Sequence, residues 1–313
     1  VFPELQNSYG VGSGGQFPIA DNGNGIPSSF GALNIPSWGP ELNGQQYQNW
    51  NGKTASYTPG GDTLNDFYGS GYTATNSLSI NGGNEQTTFY VSLSNLTNEG
   101  IVPGSTFKRN NISIRASHKL SDKLSIDGKV SYIKQNADNR ATGGASPFNS
   151  FSQLIGLSRD IKIDDLKNNY IDLSGNPVSP YRLSNENPYW IVNRFKNEDS
   201  RDRIIGSLAL NYSISDRLSF VLRSGIDTYF DNRFVRIPKN SQSLPIGNLV
   251  FTDFSLTEMN TDFLLKYDSK RDQDFTYSAS VGGNLLNRKT HSNQTSGSDL
   301  KVPSLDNITN ASR

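Results

Sequence analysis

From Tyr72 onward, apolar residues recur at every second position. Tyr72, Ala74, Leu78 and Ile80 share one parity, and Thr73, Thr75, Ser77, Ser79 and Asn81 share the other. A strand points alternate side chains to opposite faces, so this segment is predicted to be a strand with one apolar and one polar face. Asn81 to Gln86 then supplies Asn-Gly and Gly-Asn steps that accept positive φ, after which Phe89, Val91 and Leu93 alternate with Thr88, Tyr90, Ser92 and Ser94. The two runs predict a hairpin of long strands.

Three further hairpins follow the same pattern. The second sets Ile112, Ile114 and Ala116 before a turn at Ser121-Asp122-Lys123, and returns through Leu124, Ile126, Gly128, Val130 and Tyr132. The third carries Ile204, Gly206, Leu208, Leu210 and Tyr212, then Leu218, Phe220, Leu222 and Ile226. Its turn, Ile214-Ser215-Asp216-Arg217-Leu218-Ser219, matches Leu120-Ser121-Asp122-Lys123-Leu124-Ser125 of the second. The fourth has Met259, Phe263, Leu265 and Tyr267, a turn over Asp268 to Asp274, and Phe275, Tyr277, Ala279, Val281, Gly283 and Leu285.

About eight strands are expected between residues 70 and 286, with short turns at one end and long connections near 134–202 and 231–254 at the other. Leu124 to Tyr132 keeps its alternation over the roughly 9–11 residues that a tilted transmembrane strand needs. Short turns opposed to long loops are the pattern of outer-membrane barrels, whereas soluble sandwiches have shorter strands and less lopsided loops. Tyr132, Tyr212 and Tyr267 fall near predicted strand ends, where interfacial girdles favour aromatic residues.

Residues 1–69 are rich in Gly, Asn, Ser and Pro but also hold Phe17, Phe30, Trp38, Tyr47, Trp50 and Tyr57, so they read as loops that pack on something. Asp21-Asn22-Gly23-Asn24-Gly25 lacks the spacing and closing Glu of a calcium loop and reads as an ordinary turn. In the long connection, Pro147-Phe148 with Phe151, Leu154 and Ile155 has helical spacing, and Asp164-Asp165-Leu166 is suited to a second short helix. Pro177, Pro180 and Pro188 are expected to break regular structure there. Residues 287–313 read as the start of a further loop.

Several motifs resemble one family. Gly71 through the Gly82-Gly83 turn to Asn98-Glu99-Gly100-Ile101-Val102-Pro103 and Phe107-Lys108-Arg109-Asn110-Asn111 resembles a barrel block of the SusC/RagA-type TonB-linked outer-membrane transporters of Bacteroidetes. Ser37-Trp38-Gly39-Pro40-Glu41-Leu42-Asn43-Gly44 is similar to a second segment of that family, and Asn187-Pro188-Tyr189-Trp190 to a third. The resemblance implies an all-β antiparallel transmembrane barrel of about 22 strands, of which this chain supplies about eight. It further implies import of glycans or peptides, with a SusD-like surface lipoprotein over the extracellular loops and TonB acting through parts not in this chain. Neither end resembles the natural end of a gene product, so an internal fragment without plug or TonB-contacting segment is expected.

Composition narrows the remaining choices. Only 34% of the 313 residues are hydrophobic, which suits strands that show lipid every second residue. No run of about 20 apolar residues exists for a helical span. The 29 basic and 29 acidic residues balance, which gives no field for nucleic acid, and the absence of cysteine removes thiol chemistry and disulfides. His118 and His291 lack metal-ligand spacing, and adjacent Asp164 and Asp165 suit helix capping better than catalysis. No enzyme activity, metal or cofactor is expected.

Two sets of residues remain as contact candidates. Arg115, Asp127, Lys129, Arg223, Asp262 and Lys266 lie on the polar parity, and suit either an exposed sheet face or the lumen and plug of a wide barrel. Trp38, Trp50, Tyr189 and Trp190 are candidates for loop contact with a ligand or the lipoprotein. A surface-exposed all-β binding or adhesion protein, or a passive barrel, is the alternative.

Overall fold

The computed structural model describes residues 6–21, 23–32, 36–144, 146–180, 186–269 and 275–313. Asn22 of the acidic turn and most of the turn after Asp268 lie outside the described residues. In chain order the elements are β1 (Gln46–Gln48), β2 (Thr54–Ser56), α1 (Thr63–Phe67), β3 (Tyr72–Gly83), β4 (Thr87–Glu99), β5 (Thr106–Ser121), β6 (Leu124–Asp138), α2 (Ser150–Ile155), α3 (Ile163–Asn168) and α4 (Pro188–Arg194). They continue with β7 (Lys196–Ser213), β8 (Leu218–Ile237), β9 (Asn248–Asp268), β10 (Ser278–Ser298) and a 3₁₀ turn at Ile308–Asn310.

Strands β3 to β10 form one eight-stranded antiparallel meander in sequence order, and β3 and β10 are its two edges. The sheet is therefore open at both edges. Its register keeps the two parities apart: Leu78 pairs with Leu93, Leu93 with Ile112, Ile112 with Tyr132 and Tyr132 with Ile204. One face consequently carries a continuous apolar band, and Leu78, Ile80, Leu93, Leu208, Val281 and Leu285 on it are exposed. At about 25 cal/mol per Å² of apolar surface, water is a poor solvent for such a face and lipid a good one.

One register step toward the loop end, the same face turns polar on β3 to β7, whereas on β8 the row reaches the exposed Phe230. Asn76 pairs with Asn95, Asn95 with Asn110, Asn110 with Lys134 and Lys134 with Asp202. Lys134 and Asp202 also form an ion pair at 2.6 Å. At the other end, tight turns reuse one device. Ser121 Oγ accepts from Lys123 N at 3.3 Å, and Ser215 Oγ accepts from Arg217 N at 3.4 Å and Leu218 N at 3.2 Å.

The strands outrun the alternation. They lengthen from 12 residues in β3 to 21 in β9 and β10, far beyond the roughly 9–11 that cross a membrane. The connection expected at 134–202 is therefore confined to 139–195, and that expected at 231–254 to 238–247. Residues 287–298, read from sequence as loop, continue β10, and only 299–313 leave the sheet. The physical reason is common to all three. Above the polar row the outer face loses its regular apolar alternation, so the period-2 signal stops while the hydrogen-bonded ladder continues. Tyr132 likewise ends the apolar run of β6 but not the strand.

The helices expected in the long connection form as α2 and α3. Pro188 differs from expectation. It stands in the first turn of α4, where its missing N–H costs nothing, and opens that helix.

Candidate functional site

Residues before β3 and the connection between β6 and β7 fold together as a cap at the loop end of the sheet. Its core joins Val11, Tyr47, Trp50, Tyr57, Leu64 and Phe67 to Leu154, Leu157, Ile161, Leu166 and Tyr189. Several buried polar groups of the cap are paired, as the low dielectric favours, although Trp50 Nε1 has no partner among the described residues. Asp160 accepts from Val11 N and the Tyr47 hydroxyl, both at 2.8 Å, and from Ser158 Oγ. Burial first, then the Asp160 charge, pushes the Tyr47 hydroxyl far above its ordinary pKa, so it stays a neutral donor. Arg159 ties the two segments by donating to Gln6 O at 3.0 Å, Asn7 Oδ1 at 3.1 Å and Gly61 O at 3.1 Å.

The recurring motifs are parts of this cap. A Cβ on Gly39 would stand 2.0 Å from Val11 O, and one on Gly60 would stand 2.1 Å from Ile161 O, so both close approaches require glycine. Asn187 caps α4 by accepting from Tyr189 N at 2.9 Å, and its amide donates to Leu166 O and Val178 O, both at 3.1 Å. Asn139 bridges the β4–β5 connection to α4, donating to Pro103 O and Val192 O at 3.1 Å.

Between cap and sheet lies a cleft of about 800 Å³ lined by Asp66, Glu99, Ile101, Lys167, Tyr170 and Tyr189 among others. Of the four aromatic candidates, Trp38 is 62% exposed and packs obliquely on Tyr9 with ring centroids 6.2 Å apart. Trp50 and Trp190 are instead buried, which corrects their placement among ligand contacts, and Tyr189, also largely buried, lines the cleft. The loops have a core of their own, which Trp50 and Tyr189 help fill. Trp190 Nε1 spends its hydrogen on Ser241 Oγ at 3.2 Å.

The polar face of the sheet holds the six charged candidates, but brings only some together. Arg223 and Asp262 face each other across β8 and β9 and pair at 2.7 Å, and Lys266 pairs with Asp268 at 3.0 Å. Asp127 accepts from Ser117 Oγ, and from Asn211 Nδ2 at 2.9 Å. Arg115 stands directly opposite Lys129, like charge against like, with no ion pair to either among the described residues.

A denser cluster higher on the same face escaped the sequence reading. Arg201 Nη2 donates to Asp231 Oδ2 at 2.6 Å and Arg233 Nη2 to the same oxygen at 2.7 Å, while Arg203 pairs with Asp227 at 2.5 Å and Arg140 with Asp199. Arg201 also lies 4.9 Å from the centre of the Tyr229 ring. The mirrored charges at period 2, Asp199, Arg201 and Arg203 against Asp227, Asp231 and Arg233, are the signal that marks it once β8 is carried past Asp231. A cavity of about 360 Å³ opens over this cluster. Among the described residues no group of three His, Cys, Asp or Glu side chains is arranged to hold a metal ion.

No family model matches the chain. Known structures do: it superposes on the RagAB peptide importer in its closed-closed state with a TM-score of 0.63 at 14% identity, over 80% of this chain and 28% of that one. Over that stretch the chain shares the fold of the RagAB importer. A second structure of the RagAB peptide transporter gives 0.62 at 16% identity, over 82% of this chain and 29% of that one. Among curated proteins, a TonB-dependent receptor of Formosa agariphila is 26% identical over 216 residues, 66% of this chain and 20% of the relative. The chain thus spans about a fifth to under a third of the proteins it matches. These likenesses agree with the SusC/RagA-type resemblance of the motifs, and the barrel segment is not closed by the eight strands present.

Proposed function

We propose that this chain is wall and extracellular cap of a TonB-dependent outer-membrane importer that takes up peptides or glycans with a SusD-like surface lipoprotein. The observation that carries the reading is the exposed apolar band on one face of the sheet, backed by a charged opposite face. A sheet so divided suits lipid outside and a wet lumen inside. On this reading the short turns are periplasmic, and Arg115, Asp127, Lys129, Arg223, Asp262 and Lys266 face the lumen and its plug. The unmatched Arg115–Lys129 pair suits an acidic plug residue. Trp38 is presented outward to a ligand or to the lipoprotein.

The test is energy-dependent uptake by cells carrying the full-length protein. Labelled peptide and oligosaccharide pools are followed into the periplasm, with and without the gene and with and without a protonophore. Active import predicts that deletion and protonophore each abolish entry of one pool. Entry that survives the protonophore means a passive pore, and entry that ignores the deletion removes the transport reading.

A further inference from the structure

The cavity over Arg140, Arg201 and Arg233 is built in layers. The carboxylates lie underneath: the Asp231 side chain is 1% exposed and that of Asp199 15%. The guanidinium groups lie on top, with side chains 50% exposed for Arg140, 32% for Arg201 and 57% for Arg233. Asp231 Oδ2 takes Nη2 of Arg201 and both Nε and Nη2 of Arg233, and Asp199 takes Nε and Nη2 of Arg140. Nη1 of each arginine therefore has no partner among the described residues.

Aromatic rings hold two of the planes without consuming an N–H. Arg201 lies on Tyr229 at 4.9 Å and Arg140 over Phe107 at 6.0 Å. Glu198, which also lines the cavity, is drawn toward Lys196 at 3.3 Å. An ion-pair network serving stability alone has no need to bury its acids and leave its forks uncovered. What this arrangement offers the cavity is three oriented, partly unspent guanidinium groups, the donor set that matches a planar or tetrahedral oxyanion.

We propose that this cavity is a subsite for an oxyanion of the ligand, a carboxylate or a sulfate ester, held by Arg140, Arg201 and Arg233. The inference rests on the reading that this face lines the transport lumen. It places a charge-selecting contact on the upper wall, and names the ligand as an acidic peptide or glycan.

The test is titration calorimetry on the full-length protein in detergent, with matched probes. Triglutamate is compared with triglutamine, trigalacturonate with its neutral methyl ester, and a sulfated galactose disaccharide with its desulfated form. In the wild type at least one charged probe binds about tenfold or more tightly than its neutral twin, and the gap shrinks with salt. The pair that shows the gap identifies carboxylate or sulfate as the source. In Arg201→Gln/Arg233→Gln the gap closes to about twofold or less, and Arg233→Lys, which keeps charge but loses the fork, retains part of it. No gap in the wild type, or a gap that survives the double variant, overturns the proposal. Heat-modifiable gel migration of every variant reports folding. Co-purification of the lipoprotein from the same cells tests the transporter reading separately, so its loss beside an intact gap removes that reading and keeps the subsite.

Discussion

In the cap Tyr47, Tyr57, Leu64, Leu154 and Leu166 are sealed from solvent, whereas in the wall Leu78, Leu208, Val281 and Leu285 stand exposed along one face. The same kinds of side chain are used in opposite senses. The cap is stabilised as a water-soluble domain is, by enclosing apolar area and pairing polar groups such as Asp160 and Tyr47 within it. The wall is held by its ladder, and on the proposed reading lipid covers its apolar face. A 34% hydrophobic content suffices for both, because neither needs a thick two-sided core.

The contrast can be broken most forcefully from the cap. Leu166→Ala removes a fully buried side chain, and a loss of about 2–5 kcal/mol is expected for the cap alone. Limited proteolysis of the full-length protein would then cut within 139–195 while the barrel keeps its heat-modifiable migration. Joint loss of both would show that cap and wall fold as one unit. From the other side, Leu208→Arg puts a charge in the apolar band and is expected to cost about 2–4 kcal/mol of folding into lipid vesicles. Urea titration in vesicles measures it, with protease resistance of the cap unchanged. An unchanged titration would remove lipid from that face.

The smallest effect is on acid stability of the cap. Asp62 and Asp172 carboxylates are held below the usual value of 3.8, chiefly by backbone N–H donation from Asn65 and Asn176 respectively. A depressed folded value means that these bonds stabilise the cap fully above about pH 4 and are lost as pH falls through the lower folded value. Protease sensitivity of the cap should therefore rise only below about pH 4. A rise already near pH 6 would point to other groups.

The eight-stranded meander is legible wherever one face carries the apolar band, because apolar alternation from Leu124 to Tyr132 or Ile204 to Tyr212 is the direct imprint of a two-sided sheet. Beyond the polar row the imprint vanishes, and 231–237, 248–254 and 287–298 read as loop although they are paired. The same lapse concealed Asp231 and Arg233. In the cap, the aromatic residues announced packing, but their partners lie far along the chain: Val11 meets Asp160, and Asn49 meets Asp165. No local pattern encodes such pairings. From sequence, Trp50, Tyr189 and Trp190 therefore look like contact residues, although Trp50 and Tyr189 belong to the cap core and Trp190 is buried.

On the proposed importer reading, the row Asn76, Asn95, Asn110, Lys134 and Asp202 is a waterline on β3 to β7. It would then fix how deep that part of the wall sits by side-chain identity at one register step, not by how long the strands are. Freeboard above that line is consequently adjustable. Residue pairs added to or removed from the tops of adjacent strands would raise or lower the rim around the mouth without changing the draught, so the height of the entrance and the anchorage of the wall can vary independently.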